Sequence, residues 1–178
     1  MAAAASMHRV EALELPPAAM PSGTRLLPLL VYRQVLPLGG DTASACEKLF
    51  ARHGWSGGWR NGIFTYDHFH ATTHEVLGIV RGHVRVRFGG DAGVEAEVSA
   101  GDVIVIPAGV AHRNLGASRE LLVVGAYPDG HDPDRHTGIP GGDPHAVATI
   151  RRVKLPHADP VYGGEGPLHE RWRAASGA

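Results

Sequence analysis

From residue 83 to residue 98 the chain alternates apolar and polar side chains, and that periodicity commits it to antiparallel sheet. His83-Val-Arg-Val-Arg-Phe88 sends Val84, Val86 and Phe88 to one side and His83, Arg85 and Arg87 to the other, because successive strand residues point to opposite faces. Val94-Glu-Ala-Glu-Val98 repeats the pattern after a Gly-Gly-Asp-Ala-Gly turn at 89–93, so the two segments form a hairpin with one dry and one wet face. Arg85 and Arg87 can pair across it with Glu95 and Glu97. Such solvated pairs contribute about a few tenths of a kcal/mol each.

The rest of the chain has the same texture. Gly (24) and Pro (13) punctuate short runs of Val, Ile and Leu, which is the signature of an all-β domain with many tight turns. Ile63 to His70 reads as one strand and His74 to Arg81 as the next. Val103-Ile-Val-Ile106 is a continuous apolar run, hence a buried strand that stops at Pro107, and Leu121 to Ala126 is another. One helix is expected at about 42–53, N-capped by Asp41, with Ala45, Cys46, Leu49 and Phe50 as its apolar stripe and Gly54 ending it. Residues 1–24 are Ala/Pro-rich and read as a flexible arm. Residues 26–36 read as an extended segment that Pro28 pushes toward an edge. Residues 131–178 read as a wrapping tail, with a strand-like piece at Thr149–Leu155.

Into this frame fall residues that core-building does not require. His68-Phe-His70 places two imidazoles on one face of a strand, and a later strand can bring Glu75 and His112 against them. Three imidazoles and a carboxylate, without thiolate, suit Fe, Mn, Ni, Cu, Co or Zn as the divalent ion, and leave coordination positions open for chemistry. His74 alternates away from Glu75 and points to the opposite face, although a strand bulge would let it replace His68. His53, His83, His131, His136, His145, His157 and His169 read as solvated.

Residues 62–82 (GIFTYDHFHATTHEVLGIVRG) and 101–112 (GDVIVIPAGVAH) match both sequence motifs of the cupin superfamily, at Gly62, His68, His70, Glu75, Gly82, Gly101, Pro107, Gly109 and His112. One departure is visible: Gly116 stands where the second motif commonly carries Asn. The chain from about 26 to 173, including GAYPDG and DPVYG, resembles the YjlB-like group of small bacterial cupins. The resemblance implies a double-stranded β-helix, or jelly-roll barrel, over about 25–130, with one N-terminal helix and extended terminal arms. It also implies pairing of small cupins into homodimers through edge strands.

Around the metal, Tyr66 shares the face of His68 and His70 and is a candidate pocket residue. Leu77 and Ile79 make the interior apolar, and Arg81 continues that face toward the mouth or into solvent. Trp55 and Trp59 either lid the pocket or cover the helix. No residue is assigned to an organic cofactor.

A net charge of -1 offers no field for nucleic acid or an anionic membrane, and no run is long enough to span one. Cys46 alone cannot build a disulfide framework or a cysteine zinc cluster. The start lacks an apolar run of signal-peptide length, which points to the cytoplasm. The expected function is therefore metal-centred work on a small molecule, foremost a non-heme dioxygenase or related oxidoreductase. The alternatives are a metal-dependent isomerase or lyase on sugars or keto acids, and a non-enzymatic small-ligand binder.

Overall fold

Continuous apolar runs and alternating runs end up in different sheets. The computed structural model describes residues 9–177. Along the chain run β1 (Val10–Leu13), β2 (Leu29–Tyr32), α1 (Thr42–Arg52), β3 (Trp55–Asn61), β4 (His68–Phe69), β5 (Glu75–Arg81) and β6 (His83–Phe88). Then follow β7 (Val94–Ser99), β8 (Val103–Ile106), β9 (His112–Ala117), β10 (Leu122–Pro128), β11 (His136–Thr137), α2 (Pro144–Ile150) and α3 (Pro167–Ser176). A six-stranded sheet of order β1-β2-β8-β5-β10-β3 faces a five-stranded sheet of order β11-β4-β9-β6-β7. Every pairing within them is antiparallel, and the architecture is a jelly-roll sandwich.

The six-stranded sheet is covered on both faces. Its inner residues Leu29, Val31, Leu77, Ile79, Ile104, Ile106 and Val123 join Val84, Val86 and Phe88 of the opposite sheet in the inter-sheet core. Its outer residues Leu30, Tyr32, Val76, Val103, Val105 and Val124 pack under Phe50 of α1 and Leu168 and Trp172 of α3. Double-sided burial is why these strands lack polar alternation. The β6–β7 hairpin keeps its alternation because its outer face meets water. There Arg85 reaches Glu95 at 3.9 Å, whereas Arg87 turns instead to Asp67 and Asp91.

α1 starts where Asp41 accepts the Ser44 N–H at 3.0 Å, which satisfies one of the free donors of the first turn. It sits close on β5 because Gly78 faces it. A Cβ there would run into Cys46 Sγ and the Phe50 ring. A further glycine requirement is at Gly109 (φ +83), in the turn that feeds β9.

Several expectations change. Ile63–His70 contracts to the two-residue β4, with bends before it. β2 is an interior strand, not an edge, because β1 pairs along it; so the expected loose arm is tied down from Val10, and its residues 1–8 lie outside the described residues. The single expected helix has two companions in the region read as a tail. Thr149–Leu155 is no strand: Asp143 caps the chain into α2, whose helix runs through Ile150. α3 is docked firmly. Trp172 is fully buried with its Nε1 donating to Pro28 O at 2.9 Å, an amount of apolar burial worth roughly 3 kcal/mol. Asp159, also buried, accepts from Tyr32 Oη at 2.7 Å and from the Leu168 N–H at 3.0 Å, pinning the start of α3 to β2.

Candidate metal centre

The sandwich brings His68, His70 and His112 from one sheet against Glu75 from the other. His68 and His112 lie opposite each other in the β4–β9 register, with ring centres 4.1 Å apart. His70 follows β4 directly, and one nitrogen from each of the three rings lies within 4.8 Å of the others. Glu75 opens β5, paired to Ile106 of β8, so its side chain points inward with Leu77 and Ile79. Its Oε2 stands 3.4 Å from His70 Nε2 and 3.2 Å from His112 Nε2. All four side chains are buried.

The hydrogen bonds behind the rings decide what faces forward. His112 Nδ1 contacts Val110 O at 3.0 Å, His68 Nδ1 contacts Tyr66 O at 3.3 Å, and His70 Nδ1 contacts Asp134 O. A carbonyl oxygen only accepts, so each Nδ1 carries a proton and each neutral ring presents an Nε2 lone pair. Those of His70 and His112 face Glu75 Oε2, a buried oxygen with no hydrogen-bond donor, and the His68 ring lies against that of His112. Facing acceptors repel one another, and an orphaned buried carboxylate oxygen is costly. Either added protons or a cation must resolve the arrangement, and a divalent ion resolves all of it at once. The backbone contacts are those that orient histidine ligands in metal proteins. The donor set therefore fits a metal.

Without a cation the groups polarise one another. Burial alone would raise the Glu75 pKa, but His112 and His70 beside it hold the carboxyl below its usual range. Burial opposes charge on His70, yet the Glu75 carboxylate outweighs it and raises the pKa. His68, farther from that carboxylate, is pushed down to about 4 by burial and by neighbouring His112.

The four residues form one wall of a cavity of about 540 Å³ whose other lining includes Trp59, Ile63, Phe64, Leu77, Tyr127 and Arg135. Tyr127 donates its hydroxyl proton to Glu75 Oε1 at 3.1 Å and accepts from Trp59 Nε1 at 2.8 Å. This fixes one carboxylate oxygen and leaves Oε2 turned to the imidazoles. Trp59 can lie over the sheet because Gly125 has no side chain: a Cβ there would meet the indole ring.

Tyr66, the expected pocket residue, is instead 39% exposed and stacks on Phe64 at 5.0 Å, outside the cavity lining. The reason is the shortness of β4: Tyr66 lies in the bend before it, where strand alternation does not apply. Tyr127 takes that place, and strand alternation along Val123–Tyr127 carries the signal that finds it. Trp59 lines the cavity, and Trp55 packs with Phe50 of α1, as expected of a residue covering the helix. Arg81 is exposed and donates to Glu120 O at 3.0 Å.

His74 does face away from Glu75, and it is buried. Its Nδ1 accepts the Ala108 N–H at 2.9 Å and its Nε2 contacts Lys154 O at 3.1 Å, against the Trp172 ring. His169, expected to be solvated, is also buried, with Nε2 contacting Pro156 O at 3.0 Å.

Residues 60–124 match the family model for the cupin domain. The uncharacterized protein YjlB of Bacillus subtilis (strain 168) is 43% identical over 145 residues, covering 82% of this chain and 86% of that protein. Among solved structures, acireductone dioxygenase from Bacillus anthracis aligns at 20% identity and a TM-score of 0.43, over 60% of this chain and 82% of that one. Procruciferin, an 11S globulin of Brassica napus, aligns at 15% identity and a TM-score of 0.38, over 62% of this chain. A mutant oxalate decarboxylase of Bacillus subtilis aligns at 19% identity and a TM-score of 0.35, over 65% of this chain. The chain spans only 22% of procruciferin and 24% of the oxalate decarboxylase.

Proposed function

This chain belongs to the cupin family, in the group of YjlB, and from that membership we propose that it is a metal-dependent enzyme acting on a small molecule. The reading favoured is a non-heme dioxygenase or related oxidoreductase, with His68, His70, Glu75 and His112 as ligands. One observation carries it: three clustered imidazoles hold their protons on Nδ1, and two of them aim a free nitrogen at a buried, donorless carboxylate oxygen beside an open cavity. A divalent ion bound there supplies Lewis acidity, or redox capacity if it is iron, manganese or copper.

The protein's own groups do the rest. Tyr127 and Trp59 orient Glu75 through a relay of 3.1 and 2.8 Å bonds. Leu77, Ile63 and Phe64 present an apolar wall to a bound molecule, which limits water and strengthens each polar contact inside.

The test is elemental analysis of untagged protein beside His70→Ala and Glu75→Ala, followed by anaerobic Fe(II) loading and oxygen-uptake assays on a metabolite panel. Metal present in the parent, lost in both variants, and substrate-dependent oxygen uptake are expected. Equal metal in all three proteins overturns the ligand assignment. Turnover under nitrogen with Zn(II) or Mn(II) replaces the dioxygenase reading with isomerase or lyase chemistry, and ligand binding without turnover replaces it with a binding protein.

A further inference from the structure

One charged side chain of the cavity has no part in the metal centre. Arg135 lines the cavity, and its guanidinium carbon lies 5.2 Å from the centre of the Phe64 ring. Of the lining residues it alone carries a permanent positive charge. Among the described residues it has no ion pair, and Asp134, beside it in the sequence, is already committed. Asp134 Oδ1 accepts from the Ala71 and Thr72 N–H groups at 2.8 and 3.1 Å, and its Oδ2 pairs with His136 at 2.7 Å. His136 in turn stacks on Phe69 at 4.8 Å. Alternation along this extended stretch therefore turns 134 and 136 onto the barrel and sends 135 to the cavity. The Phe64 face holds the guanidinium there without neutralising it.

We propose that Arg135 recognises the carboxylate of the substrate, and that the substrate is an organic carboxylate with an apolar or aromatic body. A planar fork of donors matches a carboxylate's two oxygens. The body of such a molecule has matching walls in Trp59, Ile63, Phe64, Leu77 and Pro133. The inference rests on reading the cavity as the substrate site, and it names the class that the site accepts.

The experiment titrates benzoate and 2-oxohexanoate, with benzamide and hexanamide as uncharged counterparts, into the full chain and into Arg135→Gln and Arg135→Lys. Metal content is measured in each protein. In the parent, at least one acid binds about tenfold tighter than its amide, the margin expected of a charge-assisted pair. Arg135→Gln removes that preference while amide affinity and metal content stay unchanged, and Arg135→Lys restores part of it. A preference that survives in Arg135→Gln overturns the proposal, since direct carboxylate–metal contact would then account for it. So does the absence of any acid binding below about 10 mM. A metal-free protein that keeps an Arg135-dependent preference refutes the metal centre and leaves the anion recognition standing.

Discussion

Two faces of the six-stranded sheet bury histidines beside one another, and they treat them differently. On the outer face His74 has both ring nitrogens engaged by backbone, Nδ1 as acceptor and Nε2 as donor, under the Trp172 ring. On the inner face, one residue further along, Glu75 meets His70 and His112, whose Nδ1 atoms are engaged by backbone and whose Nε2 atoms have only its acceptor oxygen before them. Burial is similar on both sides. What separates a packing histidine from a candidate ligand is whether its second nitrogen has been given a partner.

The sharpest way to break this contrast is to remove an inner ring. His112→Ala is expected to weaken metal binding by more than about a hundredfold, since even residues that merely orient a ligand are worth 10–100-fold; calorimetric titration with Zn(II) reads it. His74→Ala is expected to leave metal stoichiometry alone and to cost about 3 kcal/mol in urea unfolding, from a cavity under Trp172 and two stranded backbone groups.

The outer histidine also has a pH signature. Burial pushes the His74 pKa down to about 4 from 6.5, so the unfolded chain takes up a proton in this window before the native ring does. Its contribution is complete above about pH 7 and falls as the solution is acidified through 6.5 toward 4, by about 2 kcal/mol at pH 5. Unfolding free energies at both pH values should differ less in His74→Phe than in the parent; an identical pH dependence would show that His74 is charged or exposed.

Smaller effects follow. Tyr127→Phe frees Glu75 Oε1 and is expected to lower metal affinity about tenfold, as other ligand-orienting contacts do. On the wet hairpin, Arg85→Ala removes a 3.9 Å pair between half-exposed groups and should change stability by less than about 0.5 kcal/mol. A larger loss there would mean that the outer face of the five-stranded sheet is covered in solution.

Period and spacing make the hairpin, the strands β5, β8 and β10, helix α1 and the buried, inward position of His68, His70, Glu75 and His112 legible before any coordinates. They failed where short-range signals had to compete. TIRRVKL looks extended, yet Asp143 and Pro144 just upstream are the cap and first-turn pair that start α2. Gly166-Pro167 with Leu168 and Trp172 four residues apart carries the same kind of message for α3. Alternation misplaces Tyr66 because the stretch bends there, and Arg135 has no sequence signal because it reaches the cavity only when β11 folds back beside β4. Reading this segment as a tail puts His169 at the surface, and a docked helix reverses that.

The fold-back of residues 134 and 135 makes a short chain segment serve two ends. The carbonyl that fixes the His70 ring belongs to Asp134, and the next side chain lines the cavity. Grafting the loop of another family member onto this barrel would therefore transfer the aim of a donor together with a charge of the cavity wall. A side-chain exchange at 135 retunes the charge alone, whereas any shift of the backbone here moves both.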